Sequence, residues 1–156
     1  MRILFVCMGN ICRSPTAEGV MRRVLDEAGL AESVEVESAG TGGWHAGEPP
    51  DERATLAARR RGITLAGAAR QVRAADFRDF DLLIAMDRGN LRELLAVARD
   101  EEAAEKVRLL REFDPASSGD LDVPDPYYGG DRGFETVLDM VEAACRGLLD
   151  EIAERV

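Results

Sequence analysis

A cysteine, an arginine and a hydroxyl lie close together near the start of the chain, in the segment Cys7-Met8-Gly9-Asn10-Ile11-Cys12-Arg13-Ser14. A thiolate is a strong nucleophile, and a planar guanidinium can grip two oxygens of a phosphate group. A serine hydroxyl can hydrogen-bond a thiolate and ease its departure from a phosphorylated sulfur. These residue types predict that Cys7 attacks phosphorus, that Arg13 binds the phosphate and that Ser14 supports the sulfur.

The chain around this segment is expected to form a strand, a tight loop and a helix. An apolar run of strand length ends at Cys7, and Pro15 suits the first turn of a helix. The loop would aim backbone N–H groups and a helix N-terminus at one point, which is the design of an anion site. Gly9 permits close backbone approach, and Asn10 tolerates a positive φ. The predicted phosphate-binding residues are Met8, Gly9, Asn10, Ile11, Cys12 and Ser14.

A phosphoester also needs a proton donor, because an alkoxide or phenoxide leaves poorly without a proton. The only histidine, His45, lies outside the motifs that would supply one, so a carboxyl group is the natural candidate. We predict Asp125, which lies between two prolines that stiffen its loop and next to Tyr127 and Tyr128. The same carboxylate could activate water in a second step. This scheme requires neither a metal nor another cofactor.

Composition limits the alternatives. A chain of 156 residues with 46% hydrophobic content has the size of one globular domain, so residues 1–156 are expected to form a single domain. The net charge of −10 argues against nucleic-acid binding and against acidic membranes. The amino end lacks a signal-peptide pattern, which makes the cytoplasm the expected location. Three cysteines and one histidine form neither a disulfide framework nor a metal-ligand spacing.

Apolar periodicity predicts strands that alternate with helices. This order favours an α/β fold, a three-layer sandwich with a central, mainly four-stranded parallel sheet and helices on both faces. In such folds, ligands bind beyond the carboxyl ends of the strands. The predicted elements after the opening strand are a helix ending near Gly29, a strand at 34–38, a helix from about Pro49 to Arg61, a strand at 81–86, a helix after Asp87, a short strand at 107–110 and a final helix from Phe134 to Ile152.

Two motifs in this order and separation are similar to those of a known family. Cys7-x5-Arg13-Ser14 near the amino end and Asp125-Pro126-Tyr127-Tyr128 near the carboxyl end resemble the low molecular weight protein tyrosine phosphatases. The resemblance implies hydrolysis of phosphotyrosine in proteins, or of small aryl phosphates, through a phosphocysteine intermediate. Further segments resemble the family in the same order: Ser38-Ala39-Gly40-Thr41, Trp44-His45, Ala69-Arg70-Gln71, Phe80-Asp81, Met86-Asp87 and Asn90-Leu91.

The resemblance also implies roles around the loop. Trp44 would form an aromatic wall of the pocket, with Tyr127 and Tyr128 on the opposite rim. Asn10 and Ser38 would hold the loop by hydrogen bonds, and Cys12 would be able to pair reversibly with Cys7 under oxidation. One departure concerns the support of the loop, since Ala66-Gly67 stands where many relatives have Ser-His.

Two other functions are compatible with an amino-terminal Cys-x5-Arg loop. Thiol-dependent arsenate reductases share this fold, but they need further cysteines near the middle of the chain to relay a disulfide. The segment from Asp81 to Asp100 has none, and Cys145 falls on the apolar stripe of the last predicted helix. A noncatalytic phosphate-binding module is the second alternative, and the presence of both a nucleophile and an acid argues against it.

Overall fold

The computed structural model describes residues 1–127 and 130–156, so the predicted rim residue Tyr128 lies outside the described residues. Within those ranges, four parallel strands form one sheet in the order β2-β1-β3-β4. The register places Cys7 beside Gly40, and Val6 beside both Ala39 and Ala85. The strands are β1 (Arg2–Cys7), β2 (Glu35–Gly40), β3 (Leu82–Ala85) and β4 (Val107–Leu109).

The helices between the strands confirm the alternation predicted from the sequence. Asp51 and Asp87 cap α2 and α4, since each carboxylate accepts hydrogen bonds from backbone N–H groups of the first turn. Gly29 ends the first helix region with a φ of 73°. The helices are α1 (Arg13–Glu27), α2 (Glu52–Arg59), α3 (Asp76–Asp79), α4 (Arg88–Val97), α5 (Glu101–Glu105) and α6 (Asp131–Ile152), with short 3-10 turns at Leu110–Phe113 and Ala153–Arg155.

The sheet is buried on both faces, which confirms the three-layer sandwich. Successive side chains of β1 point to opposite faces, so Ile3 and Phe5 join one apolar cluster while Leu4 and Val6 join another. The first cluster contains buried residues of α1, α2 and α6, and the second contains Leu94 of α4 and two phenylalanines near α3. Every residue from position 3 to position 6 is fully buried.

The structure corrects several predicted boundaries. The second strand does not break after Ser38, because Ala39 and Gly40 still pair with β1. The helix expected to reach Arg61 ends at Arg59, and Leu110 belongs to a helical turn rather than to β4. The short helices α3 and α5 were not predicted. With four and five residues, they are too short for a recognisable apolar period.

The strand order determines where the loops meet. The chain leaves β1 towards β2 on one side and later returns to β3 on the other, so the direction of winding reverses at the carboxyl ends of β1 and β3. Crevices in parallel α/β sheets form at such a reversal. Cys7 ends β1, and Asp87 follows closely after β3. None of the helices in the described ranges combines the length and the apolarity needed to span a bilayer.

Candidate active site

The sulfur of Cys7 lies at the end of β1 and is in contact with two polar groups. The side chain is only 3% exposed. The backbone N–H of Asn10 donates to Sγ at 3.3 Å, and Ser14 Oγ lies 3.0 Å from Sγ. Ala39 O, the other acceptor near the serine hydroxyl, is farther away at 3.4 Å. When Cys7 is a thiolate, the hydroxyl hydrogen of Ser14 therefore has its shorter contact with the sulfur.

Asn10 holds the loop in shape through both polar atoms of its side chain. Its Nδ2 donates to Ser14 Oγ at 2.8 Å and to Ser38 Oγ at 3.0 Å. Its Oδ1 accepts the backbone N–H of Arg70 at 3.0 Å. The residue has a φ of 58°, the only positive φ of a non-glycine residue in the described ranges. The left-handed turn that the sequence suggested for Asn10 is thus present, and the buried amide is fully satisfied.

This double role predicts an order of stability among variants of Asn10. Asn10→Ala loses the side-chain hydrogen bonds and also places a Cβ-bearing aliphatic residue at positive φ, whereas Asn10→Gly loses only the hydrogen bonds. We expect both variants to unfold more easily than wild type, and the alanine variant to be the less stable by about 1 kcal/mol. Urea unfolding of the three proteins measures this difference. An alanine variant as stable as the glycine variant would contradict a loop held at positive φ.

Arg13 opens α1 and is almost completely buried, with 2% of its side chain exposed. Its Nη1 donates to Asp87 Oδ2 at 2.6 Å and to Val123 O at 3.0 Å, while its Nη2 lies 3.8 Å from Asp125 Oδ2. Burial lowers the pKa of this guanidinium. The charges of Cys7, Asp87 and Asp125 outweigh that effect, so the pKa is raised and the group stays cationic.

Asp125 lies near the Arg13 guanidinium, two residues after Val123. Its Oδ1 accepts the backbone N–H of Tyr127 at 3.0 Å, which closes a small local turn. Its other carboxylate oxygen, Oδ2, is the one that lies near Arg13. The side chain is 39% exposed, so this carboxyl group can exchange protons with water.

These groups line one cavity of about 210 Å³. Its floor is the loop, and its exposed rim carries the apolar side chains of Met8, Trp44 and Tyr127. Trp44 is 64% exposed and packs over Gly42, where a Cβ would clash with the indole ring. Tyr127 is on the opposite loop, beside Asp125. The lining residues are Cys7, Met8, Gly9, Asn10, Ile11, Cys12, Arg13, Trp44, His45, Asp125 and Tyr127.

The predicted site residues that the structure describes fall into two groups, those that line the cavity and those that support the loop. Ser14 and Ser38 do not line the cavity but lie behind the loop, where Asn10 links them. Cys12 lines the cavity and is buried, and its thiol is free, like that of Cys7. Burial, followed by the charges of Asp51 and Cys7, raises the pKa of Cys12 to about 12. At neutral pH Cys12 therefore remains a thiol.

Comparison of the amino-acid sequence with models of protein families identifies the family of this chain. The model of the family described as low molecular weight phosphotyrosine protein phosphatase matches residues 2–156. The chain is a member of this family. Relatives with the same kind of name include a Streptomyces coelicolor low molecular weight protein-tyrosine-phosphatase, 54% identical over 99% of this chain and 95% of that protein. The human low molecular weight phosphotyrosine protein phosphatase is 41% identical over 96% and 94% of the two chains.

Solved structures agree with this membership. A crystal structure of protein tyrosine phosphatase from Entamoeba histolytica, with Hepes in its active site, superposes with a TM-score of 0.95 and 40% identity. The match covers 99% of this chain and 98% of the Entamoeba chain. The protein is accordingly a phosphoric monoester hydrolase with the fold of the family.

Two further residues contact this site, although neither was among the site residues predicted from the sequence. Asp87 precedes a predicted helix and caps it, since its Oδ1 accepts the backbone N–H of Asn90 at 2.7 Å, but its Oδ2 also binds Arg13. His45, which the sequence placed outside the motifs that would supply a proton, also lines the cavity. Its Nδ1 lies 2.5 Å from Glu48 Oε2, and its ring covers Gly9, where a Cβ would stand 3.0 Å from Cδ2.

The phosphatase loop is also supported without a histidine at position 67. Gly67 has a φ of 90°, and among the described residues beyond its two chain neighbours no heavy atom lies within 4 Å of the position that its Cβ would occupy. A cavity of about 200 Å³ separates this glycine from Asn10 and Ser38. Because Asn10 Oδ1 already accepts the backbone N–H of Arg70, the asparagine has a full set of partners.

Proposed function

We propose that this phosphatase hydrolyses phosphotyrosine and small aryl phosphate monoesters through a phosphocysteine intermediate on Cys7. One observation carries the proposal: a buried thiol, a buried guanidinium and a carboxyl group line the same small cavity, with the guanidinium held between Asp87 and Asp125. Each group matches one requirement of phosphoryl transfer. Cys7 supplies the electron pair, Arg13 the positive charge and Asp125 the proton.

In the first step, the thiolate of Cys7 attacks phosphorus, the S–P bond forms and the P–O bond to the leaving group breaks. The N–H groups of the loop and the fork of Arg13 bind the equatorial oxygens and stabilise the charge on them in the transition state. Asp125 donates its proton to the departing phenolic oxygen. Its Oδ2 is suited to this transfer, because Oδ1 is occupied by the N–H of Tyr127.

In the second step, water attacks the phosphocysteine and Asp125 removes a proton from that water. The S–P bond breaks, inorganic phosphate leaves and Cys7 returns to the thiolate form. Ser14 stabilises the departing sulfur through the contact at 3.0 Å. Asp125 thereby recovers its proton and is ready for another cycle.

The preference for aryl esters is supported by the rim. Met8, Trp44 and Tyr127 are large apolar side chains that remain exposed around the cavity. A phenyl ring extending from a phosphate on the loop would pack between them and lose contact with water. A short alkyl phosphate would leave these side chains uncovered.

The variant Asp125→Asn tests the assignment of the acid. The amide keeps the Oδ1 acceptor for Tyr127 N–H but cannot donate the proton, so the loss should grow as the leaving group becomes more basic. We expect kcat/KM to fall by about 10²-fold or more for phenyl phosphate and much less for 4-nitrophenyl phosphate, whose phenolate leaves readily. A series of substituted phenyl phosphates measures this leaving-group dependence.

Asp120→Asn is the matched control. Asp120 Oδ1 accepts the N–H of Asp122 at 2.9 Å, and this turn is of the same kind as the one that Asp125 makes with Tyr127. Asp120 does not line the cavity. It should behave as wild type across the series. A leaving-group dependence that stays unchanged in Asp125→Asn would refute the role of Asp125 as the acid.

A further inference from the structure

In its described part, between the turn ending at Phe113 and the start of α6, the segment that carries Asp125 contains no helix or strand. Val123 anchors the segment just before Asp125, since its N–H donates to Met86 O at 2.8 Å and its carbonyl accepts from Arg13. The side chain of Asp125 is 39% exposed, while the neighbouring Pro126 is buried. The polar contacts that orient the carboxyl group are Arg13 near Oδ2 and the N–H of Tyr127 on Oδ1.

Arg53 supplies a hydrogen bond to Tyr127 from another part of the chain. It lies in the first turn of α2, and its Nη2 donates to the carbonyl oxygen of Tyr127 at 2.9 Å. Its guanidinium carbon lies 5.4 Å from the centroid of the Tyr127 ring and 4.9 Å from that of Phe134. The cation is thus within reach of both aromatic rings, which limits its freedom to move away from the acid loop.

The start of α2 is in turn tied to the loop of the nucleophile. The backbone N–H of Asp51 donates to Ile11 O at 2.8 Å. The carboxylate of Asp51 accepts the N–H of Arg53 at 2.8 Å and lies 3.5 Å from Arg53 Nε. The loop of Cys7 and the loop of Asp125 therefore have a common support, which runs through Asp51 and Arg53.

From this chain of contacts we infer that Arg53 is a positioning residue for the general acid. Arg53 holds the carbonyl of Tyr127, and the N–H of the same residue holds Asp125 Oδ1. This leaves Oδ2 on the side of Arg13 and of the leaving group. Arg53 does not line the cavity, so it acts through Asp125 and not on the substrate. The inference rests on the proposed function, because it assumes that Asp125 is the acid.

The variant Arg53→Met tests the inference. Arg53 is 42% exposed, so methionine can replace its alkyl stem without disturbing the core, but it has no N–H to donate to the carbonyl of Tyr127 and no positive charge for the two rings. We expect kcat/KM to fall by about tenfold for phenyl phosphate and to change by less than about twofold for 4-nitrophenyl phosphate. Arg53→Lys keeps the charge but lacks the planar fork, and it should give an intermediate dependence on the leaving group.

Arg59→Met is the matched control, since Arg59 is an exposed arginine of the same helix and does not line the cavity. It should leave the leaving-group dependence as in wild type. An Arg53→Met protein with wild-type dependence, or with a uniform loss for all leaving groups, would overturn the inference. Asp125→Asn in the same assay separates the two proposals: if it steepens the dependence while Arg53→Met does not, the acid stands and the positioning role fails. If Asp125→Asn has no such effect, the assignment of the acid fails.

Discussion

Replacing Cys7 by serine is expected to reduce kcat for 4-nitrophenyl phosphate by at least about 10⁴-fold. A serine hydroxyl is a poor nucleophile without a neighbouring base, and the polar groups in contact with Cys7 Sγ are the hydroxyl of Ser14 and the N–H of Asn10, neither of which is a base. The fold should be retained, since the two side chains have nearly the same size. Steady-state kinetics and an unfolding curve of the purified variant measure both effects.

Cys145→Ala is the control for the loss of a thiol. Cys145 lies on α6, is fully buried in the first apolar cluster and has a raised pKa because of burial. Its removal should cost stability through a small cavity but leave kcat close to that of wild type. A Cys7→Ser protein with more than a few per cent of wild-type turnover would show that the sulfur is not the nucleophile.

The variant Arg13→Lys is expected to have the second largest effect. Lysine preserves the positive charge near Asp87 but loses the planar pair of donors, so it can no longer bind two equatorial oxygens at once. We expect kcat/KM to fall by about 10²- to 10³-fold. Affinity for orthovanadate, which becomes five-coordinate on a thiolate as phosphorus does in the transition state, should fall much more than affinity for inorganic phosphate.

Arg59→Lys provides the comparison for this experiment, because it makes the same change on an exposed face of α2. It should alter neither kinetics nor anion binding. Equal losses of vanadate and phosphate affinity in Arg13→Lys, with kcat unchanged, would mean that Arg13 binds substrate without stabilising the transition state.

The sequence was sufficient for those parts of the site that are continuous in the chain. Cys7, Arg13 and Ser14 lie within eight residues of one another, so a strand, a loop and a helix start are enough to bring them together. The fold followed from apolar runs such as that of β1, which is buried on both faces. Elements with few residues escaped detection, as α3 and α5 did, because short segments have no measurable period.

The remaining parts depend on contacts between distant segments, which no local pattern encodes. Asp87 caps a helix with one oxygen and holds Arg13 with the other, and only the first role has a sequence signal. The contact of Arg53 with Tyr127 joins residues 74 positions apart. His45 is a similar case, because its place over Gly9 depends on the path of the loop that follows β2. Such residues become visible only when the strands are arranged in space.

The central claim, a phosphocysteine on Cys7, is tested most directly by trapping the intermediate. Asp125→Asn is suited to this, since 4-nitrophenyl phosphate needs little help from the acid in the first step while hydrolysis of the intermediate lacks its base. After rapid mixing, denaturation and digestion, mass spectrometry should find one phosphoryl group on the sulfur of Cys7, and none in the double variant with Cys7→Ser. Phosphate attached to another residue, or continued turnover without any covalent phosphate, would contradict the account.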